Sequence, residues 1–276
     1  MSAAGPIETP VHLPRHAFSA RDVARAGDVW RAFQEVAVEA STAAGWPPSR
    51  YRDENVAFIV RSMTVRHARE AVYGERLTGT TWVSRMRREM FSTREVRIQG
   101  ARGPIASARQ EWVHVAASGA SLEPARGSAA LLEAFPPIAG PAGDVSPELP
   151  AIAERCEPKA PHVFELEAFY TWMDPLDHAN HPAYVDWADE ALSRALASAG
   201  IAPLLLVPVA EEATFRSGVT AAERVRVETT LRGRTAEGFV VCDHRILATD
   251  RLCASVTTVR RLLDRPERDL EVALGG

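Results

Sequence analysis

The chain has 276 residues, of which 46% are hydrophobic and 25% charged, with a formal net charge of -4. That length suits two domains of roughly 100–150 residues rather than one, and the composition is globular, with enough apolar side chains to bury cores. The mild negative charge gives no bulk grip on nucleic acid or on an anionic membrane, so neither is expected as a partner.

The opening stretch "MSAAGPIETPVHLPRHAF" lacks a basic cluster followed by an apolar core, so no secretory signal is expected in it. The first strong pattern is "AGDVWRAFQEVAVEASTAAG". Val29, Phe33, Val36, Ala37 and Ala40 recur at three- and four-residue spacing, which predicts an amphipathic helix with Asp28 as its N-cap. Gly45, Pro47 and Pro48 end it. Gln34, Glu35 and Glu39 fall on the solvated face. Four extended runs follow: "VAFIVRSMTVRHA", "ERLTGTTWVSRMR", "FSTREVRIQG" and "IASARQEWVHVAA". The basic tip "SRMRREM" reads either as a solvated turn or as a seat for the phosphate-bearing arm of a carrier.

The segment from Phe135 to Pro161, "FPPIAGPAGDVSPELPAIAERCEPKAP", is dense in Pro, Gly and Ala and has poor strand character. It predicts a linker at 136–161 between domains at 1–135 and 162–276. Beyond it, the short strand "HVFELEAFYTW" leads to a second helix, "NHPAYVDWADEALSRALASAG". Asn180 or His181 can cap this helix, Pro182 sits early in it, and Gly200 closes it. Its apolar face is Tyr184, Trp187, Ala188, Ala191, Leu192 and Ala195. Four more strands are predicted in "LLLVPVAEEATFR", "ERVRVETTLRG", "GFVVCDHRILAT" and "CASVTTVRRLL".

The two halves repeat. "VRIQGARGPIASA" and "HRILATDRLCASV" align without gaps, matching Arg97 with Arg245, Ile98 with Ile246, Ala106 with Ala254 and Ser107 with Ser255. Each half reads strand, helix, four strands, an α+β plan of one long helix against a curved antiparallel sheet.

Between the second half's first strand and its helix lies "WMDPLDHANHPAY", crowded with short polar side chains. A helix N-terminus carries unpaired N–H groups and partial positive charge, which suits a developing oxyanion. A carboxylate beside it suits a general base or nucleophile. Asp174, Asn180 and Pro175 also fit plain turn and cap roles.

Asp174, His178, Asn180 and Tyr184 hold the spacing of the "D-x-x-G-H-x-N-N-x-x-Y" signature, and this stretch resembles the hotdog-fold thioesterases of the 4-hydroxybenzoyl-CoA thioesterase superfamily. "FQEVAVEASTAAG", "YGERLTGTTWVSRMRREMFSTREVRI", "ASARQEWVHV" and "LEPARGSAALLEAFP" look like the first half of acyl-ACP thioesterases, which are two hotdogs in one chain. The resemblance implies two hotdog domains and hydrolysis of acyl-ACP or acyl-CoA to a free acid and a thiol. It implies Asp174 and His178 as catalytic, Asn180 as a neighbour whose following N–H groups hold the substrate oxygen, and Ser217 in the place where plant members carry a cysteine. Phe33, Val36 and Tyr184 are expected to line the acyl space. Leu176, Asp177 and His181 depart from the pattern. The first half's turn, "RDVARAGD", lacks the Asp-His-Asn set, so that half is expected to be degenerate.

Two alternatives use the same fold: a hydratase or dehydratase on acyl-CoA, whose usual "D-x-N-P-x-H" order is not kept, and a non-catalytic acyl-CoA-binding protein. No cofactor is expected, because a thioester is already activated. No metal is expected either, since His67, His114 and His244 stand apart from other ligands. Cys156, Cys242 and Cys253 show no metal or redox spacing and read as free thiols of a cytoplasmic protein. No run reaches the ~18 apolar residues of a membrane helix. A tandem chain leaves both a monomer and a homodimer open.

Overall fold

The computed structural model describes residues 5–117, 122–141, 147–157, 159–263 and 273–274. In chain order the elements are β1 (Ile7–Val11), α1 (Ala26–Ala43), α2 (Pro48–Asp53), β2 (Val56–His67), β3 (Leu77–Arg87), β4 (Phe91–Gly100), β5 (Gly103–Ala116), β6 (Glu123–Pro124), α3 (Ala129–Ala134), β7 (Ile152–Arg155), β8 (His162–Glu167), α4 (Pro182–Ser198), β9 (Leu206–Phe215), β10 (Arg224–Thr235), β11 (Val240–Ala248) and β12 (Arg251–Leu262). Short 3-10 turns at Arg15–Ala17 and Tyr170–Trp172 precede the two long helices. The chain divides into two compact units, Met1–Pro14 with Val29–Pro147 and Arg15–Asp28 with Glu148–Gly276.

In the first unit the strands run in the order β1-β3-β4-β5-β2, all antiparallel. Val29, Phe33, Val36, Ala37 and Ala40 of α1 are buried, as their spacing predicts. The helix approaches the sheet at Gly79, where an added Cβ would overlap the Val36 methyls. Only a residue without a side chain allows that approach.

In the second unit the order is β9-β12-β11-β10. Beyond β10, β8 pairs with its first part and β7 with its last part. Helix α4 buries Tyr184, Trp187, Ala188, Ala191, Leu192 and Ala195. Its far end packs into a cluster of Leu192, Ala195, Leu196, Ile201, Val240, Cys242 and Leu262. One buried polar knot ties helix to sheet. Arg260 Nε on β12 donates to Asp189 Oδ1 on α4 at 2.9 Å, and its Nη1 pairs with Glu211 on β9.

The repeat read from the sequence occupies equivalent ladder positions. Ile98 stands opposite Ala106 and Arg97 opposite Ser107; Ile246 stands opposite Ala254 and Arg245 opposite Ser255. Two local expectations are corrected. Helix α1 begins at Ala26, so Asp28 lies inside its first turn, 3.6 Å from Arg25, rather than at the cap. Within the stretch expected as a linker, Ile152–Arg155 forms a strand paired with β10. Ile138 N–H bonds to Val83 C=O at 2.9 Å in the first unit. Residues 142–146 and 158 of that stretch lie outside the described residues.

Candidate active site

The stretch from Met173 to Ala179 is a closed turn. Met173 and Ala179 form an isolated antiparallel bridge, Asp174 N–H donates to His178 C=O at 2.8 Å, and Asp177 N–H donates to Asp174 C=O at 3.0 Å. Asp177 takes φ 60°, a left-handed conformation that Asp tolerates better than most residues. The Asp174 side chain braces the turn from within. Its Oδ1 accepts from Leu176 N–H at 2.8 Å and from His178 N–H at 3.4 Å. This is an Asx turn, the local role that Asp-Pro invites. Burial raises the Asp174 pKa above the usual aspartate value; the two N–H donors and nearby His178 pull the other way without overcoming it. The carboxyl is therefore anchored at one oxygen and unusually avid for a proton.

His178 is half-buried and rests on Gly218, where an added Cβ would overlap the imidazole ring. The loop carrying Gly218 is pinned from both sides. Ala179 N–H donates to Val219 C=O at 2.7 Å, and Val219 N–H donates to the Tyr184 hydroxyl at 3.2 Å. Arg251 holds the other side: its Nη1 donates to Ser217 Oγ at 2.6 Å and to Gly218 C=O at 2.8 Å, while its Nη2 pairs with Glu223 at 3.0 Å. Glu223 accepts in turn from Thr220 N–H at 2.7 Å. Burial opposes ionisation of Glu223, but these donors hold its pKa below the usual glutamate value. Gly218 and Arg251 were not among the sequence-predicted site residues. The only sequence signal for them is the turn-like "SGVTAAE" and a lone basic residue at a hairpin corner.

The predicted residues divide accordingly. Asp174, His178, Tyr184 and the Ser217 loop come together around one turn. The Ser217 hydroxyl accepts from a guanidinium, which cannot take its proton, so it lacks the activating base a serine nucleophile needs. At the start of α4, His181 takes helical angles and makes no side-chain cap bond. Asn180 N–H donates to Trp172 C=O at 2.9 Å, and no hydrogen bond from its carboxamide to another described residue is present. The expected oxyanion donors after Asn180 are corrected in part: Pro182 has no N–H, and those of Ala183 and Tyr184 bond to the carbonyls of Asn180 and His181 at 2.8 and 3.4 Å. The Tyr184 ring lies tilted against Trp187 with centroids 4.8 Å apart and edge-on to Phe215 at 5.3 Å, and burial pushes its phenol well above the ordinary tyrosine range. Phe33 and Val36 are core residues of the first unit. His244 lies between the hydroxyls of Thr229 and Thr258, 2.9 Å from each, and His114 Nδ1 is 2.8 Å from Ala125 C=O. Among the described residues no group of three or more His, Cys, Asp or Glu could hold a metal ion, and no helix is long and apolar enough to cross a membrane.

The first copy of the repeat builds the same turn. Phe18 and Ala24 bridge, Ser19 N–H donates to Val23 C=O at 2.9 Å, Asp22 N–H donates to Ser19 C=O at 3.0 Å, and Asp22 takes φ 56°. Arg21 N–H donates to Ser19 Oγ at 3.3 Å. Ser19 thus stands where the second copy has Asp174, and Val23 where it has His178. The backbone geometry is kept and the titratable groups are missing.

Residues 170–272 match the model of the thioesterase-like superfamily. No curated protein matches the sequence. Among solved structures, a Lactobacillus plantarum protein assigned as an oleoyl thioesterase aligns with a TM-score of 0.76 at 17% identity, over 96% of this chain and 99% of its own. A 12:0-ACP thioesterase from Umbellularia californica aligns with a TM-score of 0.72 at 14% identity, over 93% and 94%. An acyl-ACP thioesterase from Bacteroides thetaiotaomicron aligns with a TM-score of 0.67 at 12% identity, over 93% and 97%. The turn, the helix it feeds and the sheet behind them thus lie within the stretch that is similar to the thioesterase-like superfamily, in a chain whose fold is that of these solved hotdog thioesterases.

Proposed function

We propose that the chain is an acyl thioesterase that hydrolyses acyl-CoA or acyl-ACP to a free acid and a thiol, with one catalytic turn per chain. Its two units would then be two hotdog domains in tandem, the second carrying the chemistry. The observation that carries the reading is Asp174: a carboxyl held by its own turn at Oδ1, with a pKa raised by burial. A group of that kind suits a general base near its working pH.

In this account Asp174 takes a proton from a water molecule as the water oxygen attacks the thioester carbonyl. Negative charge gathers on the carbonyl oxygen. The Asn180 carboxamide, at the positive end of α4, donates to it. The C–S bond then breaks, the thiolate takes the proton held by Asp174, and the acid departs. His178, seated on Gly218, orients the thioester. Ser217 serves as a loop anchor to Arg251 rather than as a nucleophile.

Release of free thiol, followed across chain lengths on both CoA and acyl carrier protein, tests the assignment. Turnover on either carrier supports it. Saturable binding with no thiol released, or a change in enoyl absorbance instead, would replace it with a binding protein or a hydratase.

A further inference from the structure

One charged group stands on the apolar face of the first unit's sheet. Gly79 faces Val36 of α1 and stands opposite Ile98 in the ladder. Side chains alternate along a strand, so Ile98, Val96 and Arg94 point to that helix-covered face. Val96 and Ile98 are ordinary core. Arg94 is only 8% exposed. Its guanidinium lies 5.6 Å from the Phe135 ring and makes one long hydrogen bond, 3.4 Å from Nη1 to Thr81 Oγ1. No ion pair between Arg94 and a carboxylate is found among the described residues. Its ladder neighbour Gln110 accepts at Oε1 from Trp112 Nε1 at 3.2 Å, and no hydrogen bond between Gln110 and Arg94 is found among the described residues.

The surroundings add donors and no net negative charge, because the Glu54 carboxylate near Tyr51 is paired with Arg50. Val83, the other ladder neighbour, clusters with Trp46, Leu131 and Phe135, edged by Tyr51 and Phe58. The Trp46 indole N–H is buried without an acceptor among the described residues. Trp46 and Tyr51 stack with ring centroids 5.3 Å apart, and burial raises the Tyr51 phenol, keeping it protonated. Burial lowers Arg94 to about 10, which still leaves it charged at neutral pH. An uncompensated buried charge and an unpaired buried donor both cost stability.

We propose that this cluster is a binding site for a carboxylate borne on an apolar chain, with Arg94 taking the carboxylate through its paired N–H groups and the Trp46, Tyr51 and Phe135 rings enclosing the first methylenes. A second guanidinium, Arg50, lies 3.9 Å over the Trp46 ring but is paired with Glu54 at 2.8 Å, so the one charge left to balance is that of Arg94, which suits a monoanion better than a phosphate dianion. The ligand class is the one the proposed hydrolysis would release, but the inference does not depend on that reaction.

The test is the ¹⁵N–¹H indole resonance of Trp46, assigned by Trp46→Phe, in the full chain titrated with dodecanoate, dodecanol or inorganic phosphate. A saturable shift with dodecanoate, absent with dodecanol and phosphate, is expected. Arg94→Met should weaken the dodecanoate response at least tenfold while the protein melts at the same or a higher temperature, because the substitution removes an unpaired buried charge. Arg94→Lys keeps the charge without the planar fork and should weaken binding too, and it serves if the Met variant fails to fold. An equal response to dodecanol, a phosphate response instead, no response at all, or a lower melting temperature in a folded Arg94→Met variant would each overturn the proposal.

Discussion

At the scale of single residues, the proposed chemistry depends on two features: where Asp174 keeps its proton, and what holds His178. Asp174 must be ionised to act as a base. Its raised pKa therefore moves the acid limb of the pH–rate profile for thiol release above the ordinary aspartate value of about 3.9. Activity should climb as pH rises through that limb and level off beyond it; a limb at or below the ordinary value would count against a buried base. His178 depends on the absence of a side chain at 218. Gly218→Ala places a methyl group in the imidazole's space, and about a 10²-fold loss in kcat/KM with little change in melting temperature is expected. An unaffected rate would show that the ring's seat is unimportant. The sequence makes Asp174, His178 and Asn180 legible because they sit close together in a turn whose spacing is distinctive. Gly218 and Arg251 come from other parts of the chain, meet the turn only in the fold, and carry no local pattern. Ser217 was placed by position alone, and position does not reveal that its partner is a guanidinium.

At the scale of elements, the sequence pattern foretells both long helices and nine of the strands. It fails where neighbours rather than local pattern decide. Ile152–Arg155 lies in a proline-rich stretch and becomes a strand because the end of β10 offers it an open edge. Asp28 has the composition of a cap, but the helix starts two residues earlier and the side chain pairs with Arg25 instead. The join between α4 and its sheet depends on Arg260, fully buried with Glu211 and bonded to Asp189. Arg260→Leu removes the guanidinium that pairs with the buried Glu211 carboxylate and should cost about 3–5 kcal/mol in urea unfolding. Restoring an apolar match with Glu211→Leu on that background should recover much of the loss. A cost below about 1 kcal/mol for the single change would mean that the knot adds nothing to docking. Arg94→Met predicts the opposite sign, because no described carboxylate pairs with Arg94.

At the scale of the whole molecule, one turn-and-helix plan is used twice, and the proposed chemistry rests on the second copy alone. Both copies keep the bridged turn, the left-handed Asp and the long helix that follows. Only the second copy puts a carboxylate at the bracing position; the first has Ser19, whose hydroxyl can brace the turn but cannot serve as a base. Ser19→Ala should therefore leave thiol release within about twofold of the parent, and a loss comparable to that of an Asp174 variant would mean that the first copy takes part in the chemistry. The most direct test of the account is kcat for thiol release by Asp174→Asn, measured beside a melting curve showing the variant folded. Asparagine can still accept the turn's N–H bonds but takes up no proton, so kcat should fall about 10²–10⁴-fold. A folded Asp174→Asn protein that turns over at the parent rate would contradict the account at its centre.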